Sequence, residues 1–514
     1  MNPVIEHPLA KNPVVKTRSG AVRGSVADGV HVFKGIPYAA PPVGANRLRP
    51  PQPVVSWQGV RDALAFGPKP PQPSYPPEVS AVLPELASPG EDCLNLNIWS
   101  PDLGSTGHGH PVMVWLPGSA FQYGTAATTY YDGSRFARDG IVCVTINYRV
   151  GPEGFLYLGE GDGAGNANRA LLDQIAALQW VQENIAAFGG DPDNVTVFGE
   201  SGGAMSIGIL LSMPRAKGLF RRAICQSGAA HPVISAATAR RVGNVLAEKL
   251  GVAPTREAIA AVPLEREVEA QIALSLDLFT RPDPERWGPE VAISQTPWQP
   301  VLDGDVIPAR PIDRITAGDS ADIDILLGTN SDEWRLFLVL GDIIDQVTDE
   351  ALAGAVAAYG LPVEATVSGY RAAHPGASAG DLLAALQSDW WCRVPALRLA
   401  DAHAEHNRAA TYMYDFAWPS PQFNGRLGAC HVLEIPFVFD TLGYGTETLL
   451  GTDPPQRLAD TMHAAWVAFA TTGDPGSQWP KYELPRRATM RFDATPAIVD
   501  DPLSAERALW ESVR

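Results

Sequence analysis

The sequence predicts an α/β protein: a central, mostly parallel, twisted sheet flanked by helices, with helical excursions over one end. Three observations carry that reading. The runs from Pro111 to Leu116 and from Ile141 to Asn147 are almost uninterrupted apolar stretches, the pattern of strands covered on both faces. Such runs alternate with stretches of helical periodicity, as in chained βαβ units. The stretch Asn194 to Ala204 reads as a short strand, a tight glycine turn with a serine at its apex, and the start of a helix.

In chain order, residues 17–60 hold short β-like runs broken by glycine and proline, such as Val30 to Phe33. Residues 68–90 are dense in proline and small residues, which predicts a surface loop at a pocket rim. Strands are expected over Leu94 to Trp99, Pro111 to Leu116 and Ile141 to Asn147. Leu171 to Ile185 has apolar spacing of three and four, a helix leading into the strand at Val195. Beyond it, Ala204 to Met213 reads as a buried helix stopped by Pro214. Ala223 to Gln226, Ile323 to Leu327 and Thr411 to Phe416 are further strand candidates. Residues about 236–300 and 349–407 are mainly helical, long excursions between sheet elements and natural places for a cap. No repeat or linker divides the chain, so residues 1–514 are expected to form one elaborated domain.

Composition narrows the class. With 45% apolar and 19% charged residues the chain has ordinary globular proportions. A net charge of −18 argues against nucleic-acid binding and against docking to anionic lipid. No basic segment followed by an apolar core opens the sequence, and no run of about 18 apolar residues occurs. Five widely spaced cysteines without a C-x-x-C pair suit neither a disulfide framework nor a zinc site. The expectation is a reduced, cytoplasmic protein with no metal or organic cofactor, either a monomer or a weak homodimer.

Ser201 is the candidate nucleophile. In Gly199-Glu200-Ser201-Gly202-Gly203 it occupies the apex of a strand-to-helix turn, where the backbone is strained and the hydroxyl stands clear of the sheet. The flanking glycines have a steric reason, because strand and helix pass close together. The chain supplies its own control in Gly376-Ala377-Ser378-Ala379-Gly380, which matches the same pattern with no strand before it. That copy reads as a small-residue loop ahead of a helix.

A serine hydroxyl is a weak nucleophile at neutral pH and needs a base, which in turn needs an orienting carboxylate. In strand–turn–helix sites of this kind both follow the serine along the chain. His231 lies soon after the Ser227-Gly228 turn, His403 and His406 take solvated-helix positions, and His463 falls inside an apolar helix. His431 differs in lying on a loop after the strand candidate Thr411 to Phe416. For the acid, Asp332 and Glu333 both sit where the strand from Ile323 breaks into a polar loop, and local physics does not choose between them. Backbone donors for a developing oxyanion would come from Gly202 and from the junction after Val114 to Leu116.

Taken together these motifs resemble the type-B carboxylesterases of the α/β-hydrolase fold, the family of bacterial esterases, carboxylesterases and cholinesterases. The likeness runs nearly end to end. It covers Phe33 to Ala39, Glu91 to Asn97, Tyr131 to Gly133, Asn147 to Arg149, Asp173-Gln174, Asn184 to Pro192, Gly199 to Gly203, Gln226 to Gly228, Thr472 to Pro475 and Trp479-Pro480. The resemblance implies ester hydrolysis of a small-molecule substrate with Ser201 as nucleophile, Glu333 as acid and His431 as base. It also implies that Glu200 and Ser227 lie in polar positions near the histidine–glutamate pair. The same residues could cleave carbamates or activated amides, and a catalytically inactive cholinesterase-like binding protein is the remote alternative. A lipase is less favoured, since no exposed amphipathic lid helix stands out. Phe121, Tyr123, Trp298, Trp334, Trp390 and Trp391 are candidates for pocket walls. Trp334 is the most suggestive of them, because the family more often has glycine after the acid.

Two departures from the family pattern stand out. Cys93 lacks the upstream cysteine that many relatives pair with it, so that disulfide is not expected. The oxyanion loop, usually His-Gly-Gly-Gly or His-Gly-Gly-Ala before phenylalanine, is here Pro117-Gly118-Ser119-Ala120-Phe121. The donors would then be the N–H groups of Ser119, Ala120 and Gly202, and each is worth about 3–4 kcal/mol in such a site. A Cβ at position 119 restricts what glycine permits, and the Ser119 hydroxyl is expected to line the pocket and alter substrate choice. Ser119→Gly should therefore change relative rates across a panel of esters; unchanged kinetics on every substrate would refute the idea.

Overall fold

The computed structural model describes residues 12–84, 88, 90–104, 109–118, 120–159, 167–511 and 513. Its strands in chain order begin β1 (Val14–Lys16), β2 (Ala21–Arg23), β3 (Ser25–Ala27), β4 (Val30–Pro37), β5 (Val60–Asp62), β6 (Asn95–Ser100), β7 (His110–Leu116) and β8 (Val142–Ile146). They continue with β9 (Gly190–Glu200), β10 (Arg222–Gln226), β11 (Ile234–Ser235), β12 (Val301–Leu302), β13 (Asp324–Asn330), β14 (Thr411–Phe416), β15 (Ala488–Phe492) and β16 (Ala497–Asp500). Eleven of them form one sheet in the order β16-β15-β14-β13-β10-β9-β7-β8-β6-β4-β3. Every pair from β15 across to β8 is parallel, as expected. The two edges are antiparallel, β16 on one side and β6, β4 and β3 on the other.

The strand pattern explains the apolar runs. Along β7, Val112, Val114 and Leu116 enter one buried cluster, whereas Met113 and Trp115 enter another. In β9, Val195 and Val197 join the first and Phe198 the second. Successive side chains of a strand point to opposite faces, so a sheet covered by helices on both faces demands apolar residues at every position.

The helix expected at Leu171 to Ile185 runs Arg169–Asn184, and the one after the serine runs Gly202–Leu210. The latter starts earlier than the apolar run implies, because the glycines themselves take helical geometry once Ser201 has made the turn. The expected excursions are helical over Ala236–Leu250, Arg256–Ala260 and Leu264–Thr280, and again from Asp349 through Ala404 with short breaks. Among the described residues no single helix is long and apolar enough to cross a membrane. One departure concerns Leu264–Thr280, which exposes Ile272, Leu276 and Phe279 at i, i+4 and i+7. The Ser275 hydroxyl of this helix lies 3.4 Å from Gln122 Oε1, beside the loop after β7. An amphipathic exposed helix is therefore present where the sequence pattern did not make one stand out; the alternating Glu and Arg of its first turns masked the stripe.

Ser378 is an ordinary helix cap. It precedes the helix Ala379–Ser388, its hydroxyl accepts the Asp381 N–H at 3.1 Å, and the Asp381 carboxylate accepts the Ser378 N–H at 3.0 Å. The loop after β7 is anchored by the segment that follows β8. Buried Arg149 and Asp173 make a two-pronged pair, with Nε to Oδ2 and Nη2 to Oδ1 both 2.7 Å. On the segment around Arg149, the Tyr148 hydroxyl donates to Pro117 O at 2.6 Å, and the Gly151 N–H donates to Phe121 O at 2.7 Å. The loop after β7 is thus clamped at both ends.

Candidate active site

Four loops converge at the carboxyl ends of parallel strands: Pro117 onward after β7, Ser201 after β9, Glu333 after β13 and His431 after β14. This is where an open α/β sheet places a site, since its strands end there in unpaired backbone at a crevice. Ser201 has φ 51° and ψ −124°, far from ordinary backbone for a residue with a side chain. Gly199 and Gly203 are needed as predicted. A Cβ at Gly199 would lie 2.6 Å from Leu116 O, and one at Gly203 would lie 2.9 Å from Pro117 O. Gly202 is the first residue of its helix, so its N–H has no intrahelical acceptor.

Glu333 and His431 are joined directly. His431 Nδ1 is 2.6 Å from Glu333 Oε2, and the His431 backbone N–H donates to Glu333 O at 3.1 Å. Glu333 is fully buried, and its other oxygen accepts the Asn330 N–H at 2.8 Å. Asp332 does different work: it accepts the Ala429 N–H at 3.0 Å and lies 3.3 Å from Arg335 Nε. The two neighbours that local sequence physics could not separate are thus separated by the side of the loop each faces.

The second imidazole nitrogen does not meet the serine in this arrangement. His431 Nε2 lies 3.0 Å from Glu200 Oε1, an ion-pair contact. Among the described residues no hydrogen bond joins the Ser201 hydroxyl to His431. Burial disfavours an imidazolium here, but the carboxylates of Glu200 and Glu333 outweigh it and hold the His431 pKa well above the ordinary histidine value. Glu200 itself is pushed upward, chiefly by burial.

Glu434 is a group the sequence reading missed. Its carboxyl accepts from Gln226 Nε2 at 3.0 Å and Asn330 Nδ2 at 2.7 Å. Burial first, then the charges of Glu200 and Glu333, push its pKa to about 8. Burial and the nearby acidic groups thus favour the protonated form of Glu434 near neutrality. Its position three residues after His431 was the available signal. Ser227 follows β10 with φ 53°, and among the described residues its buried hydroxyl has no hydrogen-bond partner.

Two chambers meet at Ser201. One, about 350 Å³, is lined by Tyr75, Tyr123, Tyr131, Glu200 and Leu336, with the proline-rich loop forming its rim as expected. The other, about 280 Å³, is lined by Phe121, Met205, Trp334, Trp391 and Cys392. Ala120, Ser201, Phe337 and His431 face both. Trp334 and Trp391 stack with centroids 5.4 Å apart and planes 8° from parallel. Trp390 lines a third cavity instead, and Trp298 is core, 1% exposed. In the oxyanion loop, Ala120 and Phe121 both take left-handed φ, 44° and 62°. Ser119 lies outside the described residues. All five cysteines are free and buried, Cys93 among them.

Cys392, Glu333 and His431 each offer a ligand atom within 4.8 Å of the others. The imidazole and carboxylate are already bonded to each other, and burial raises the Cys392 thiol well above its ordinary value. The cluster therefore suits an organic reaction centre better than a metal site.

The chain has relatives among known proteins. The carboxylesterase family profile matches residues 11–510. The chain is 39% identical to a para-nitrobenzyl esterase of Bacillus subtilis, over 96% of this chain and 97% of that protein. It is 36% identical to a phenmedipham hydrolase of Pseudarthrobacter oxydans, over 97% of each. The crystal structure of the Geobacillus stearothermophilus carboxylesterase EST55 at pH 6.2 superposes with a TM-score of 0.84 at 39% identity, covering 97% of this chain and 100% of that one.

The electrostatics make a prediction of their own. In an NMR titration of ring-labelled histidines, His431 should change protonation above the ordinary histidine range, and Glu200→Gln should move that midpoint to lower pH. A His431 midpoint at or below the ordinary value in the parent protein would contradict the arrangement.

Proposed function

The chain belongs to the carboxylesterase family, and on that premise we propose that it cleaves carboxylic esters through Ser201, His431 and Glu333 by way of a covalent acyl-enzyme. It is an enzyme, a carboxylic ester hydrolase. The observation that supports the residue assignment best is the shared wall: Ser201, at the apex of a strained elbow, faces the same two chambers as His431, whose far nitrogen is held by buried Glu333.

In the proposed reaction the imidazole swings its Nε2 from Glu200 to the serine hydroxyl and takes the proton as Oγ attacks the ester carbonyl. The negative oxygen that forms is met by the N–H groups of Ala120 and Gly202, with Ser119, outside the described residues, as the third expected donor. Collapse expels the alcohol, which leaves with the proton from His431, and water then repeats the sequence to release the acid. Glu333 keeps Nδ1 protonated and the ring aligned. The two carboxylates that raise the imidazole pKa also stabilise the imidazolium formed during attack. No step requires a metal or organic cofactor.

A second reading, carbamate hydrolysis by the same residues, is favoured by the likeness to the phenmedipham hydrolase. The substrate is proposed to be a small molecule, and the five free cysteines support the proposal of a reducing, cytoplasmic setting. The test is kinetics on p-nitrophenyl esters of graded acyl length with a carbamate included. Ser201→Ala should lower kcat by roughly 10⁴- to 10⁶-fold on every substrate hydrolysed. Retained turnover in that variant would place the chemistry elsewhere.

A further inference from the structure

Next to the two chambers on Ser201 lies a third cavity of about 310 Å³. It shares Pro232, Ser294, Gln299 and Trp391 with the chamber lined by Trp334, so those four residues form a common wall. The far side is built by the start of the helix Pro311–Thr316, by Val394–Ala404 and by Trp510 near the end of the chain.

Its charged groups are Arg310, Arg398 and Glu290. Glu290 is already engaged, one oxygen accepting the Ser235 N–H at 3.1 Å and the other accepting the Thr238 hydroxyl. Neither arginine has a carboxylate at ion-pair distance among the described residues. Arg398 gives Nη2 to the carbonyls of Trp510, at 2.9 Å, and Val513. Burial, then the neighbouring charge of Arg310, pushes Arg398 below the ordinary arginine value. In a chain with 57 acidic and 39 basic residues, two guanidiniums near enough to influence each other line this cavity with no carboxylate partner among the described residues, which suits an anion. His231 adds a second, independent observation: among the described residues both of its buried ring nitrogens lack a hydrogen-bond partner, and the ring, kept neutral by burial, has one N–H to give. Its ring stands edge-on to Trp391, with centroids 6.2 Å apart, and Trp390 and Trp510 supply further flat apolar surface.

We propose that this cavity is a carboxylate subsite, which takes the remote free carboxylate of an ester substrate carrying one, with Arg310 and Arg398 as its ligands. The proposal rests on the reading of Ser201 as nucleophile and names a substrate class for that site: half-esters of dicarboxylic acids. A guanidinium pairs with a carboxylate through two parallel N–H···O bonds. The apolar chain between the ester and the free acid would run past Trp391.

The experiment compares mono-p-nitrophenyl esters of straight-chain dicarboxylic acids of rising length with p-nitrophenyl esters of the matched monocarboxylic acids. At the length that spans the wall, the half-ester should have a KM about tenfold lower than its neutral counterpart. Arg310→Gln, at an exposed position, should erase that advantage by raising the half-ester KM, with the KM of the neutral series as the control. Arg398 also ties down residues 510 and 513, so its variants risk a folding defect, and Arg310 is the decisive position. Equal KM values for both series at every length, or an Arg310→Gln effect shared by both series, would overturn the subsite. To separate this from failure of the Ser201 reading, binding of dicarboxylic monomethyl esters to Ser201→Ala protein is followed by tryptophan fluorescence. Binding that is lost in the Ser201→Ala, Arg310→Gln double variant supports the subsite whether or not turnover occurs; no binding at millimolar ligand overturns it.

Discussion

A single buried imidazole held between carboxylates governs the rest of the site. His431 is bonded to Glu333 on one side and faces Glu200 on the other, while Glu434 stays protonated behind them. Burying that much acid is unfavourable unless each oxygen is matched. Several of the apparently structural residues answer that need: Asn330 gives its backbone N–H to Glu333 and its amide to Glu434, and Gln226 gives its amide to Glu434. The imidazole is the keystone, because it bonds Glu333 and faces Glu200, and without it both buried carboxyls would lose that partner.

Backbone strain is concentrated around the same point. Ala120, Phe121, Ser201, Ser227 and Val432 all have left-handed φ, and Val432, at 66°, is β-branched, the residue type least suited to it. Each lies at or beside the carboxyl end of β7, β9, β10 or β14. Strained residues of this kind cost on the order of 1–3 kcal/mol each and persist where the surroundings over-determine them. The clamps described above, Tyr148 on Pro117 and Gly151 on Phe121, are such surroundings for the loop after β7. A folded framework of seven parallel strands thus holds these residues in backbone conformations that none would adopt alone.

Much of this was legible in the residues. The β7 and β8 strands announced a doubly covered sheet because every position had to be apolar, and the Gly199 to Gly203 elbow announced itself through glycines whose steric reason the geometry bears out. The Ser378 copy was separable because it lacked a strand, and it proves to be a helix cap. Other features were not legible because they depend on which face a side chain takes after folding. Nothing local distinguishes Asp332 from Glu333, or marks Glu434 as part of the acid cluster. The same holds for the Arg310–Arg398 pair, whose members are 88 positions apart in the sequence and meet only through the packing of two helices. Trp298, grouped with the pocket tryptophans, went to the core for the same reason.

The central claim is that the strained serine at the elbow, and no other, is the nucleophile served by His431. Its most direct measurement is peptide mapping of the protein after reaction with a fluorophosphonate. The account predicts a stoichiometric adduct on the peptide containing Ser201, formed far more slowly in His431→Ala. An adduct on the Ser378 peptide, on any other serine, or at an undiminished rate in His431→Ala would contradict it.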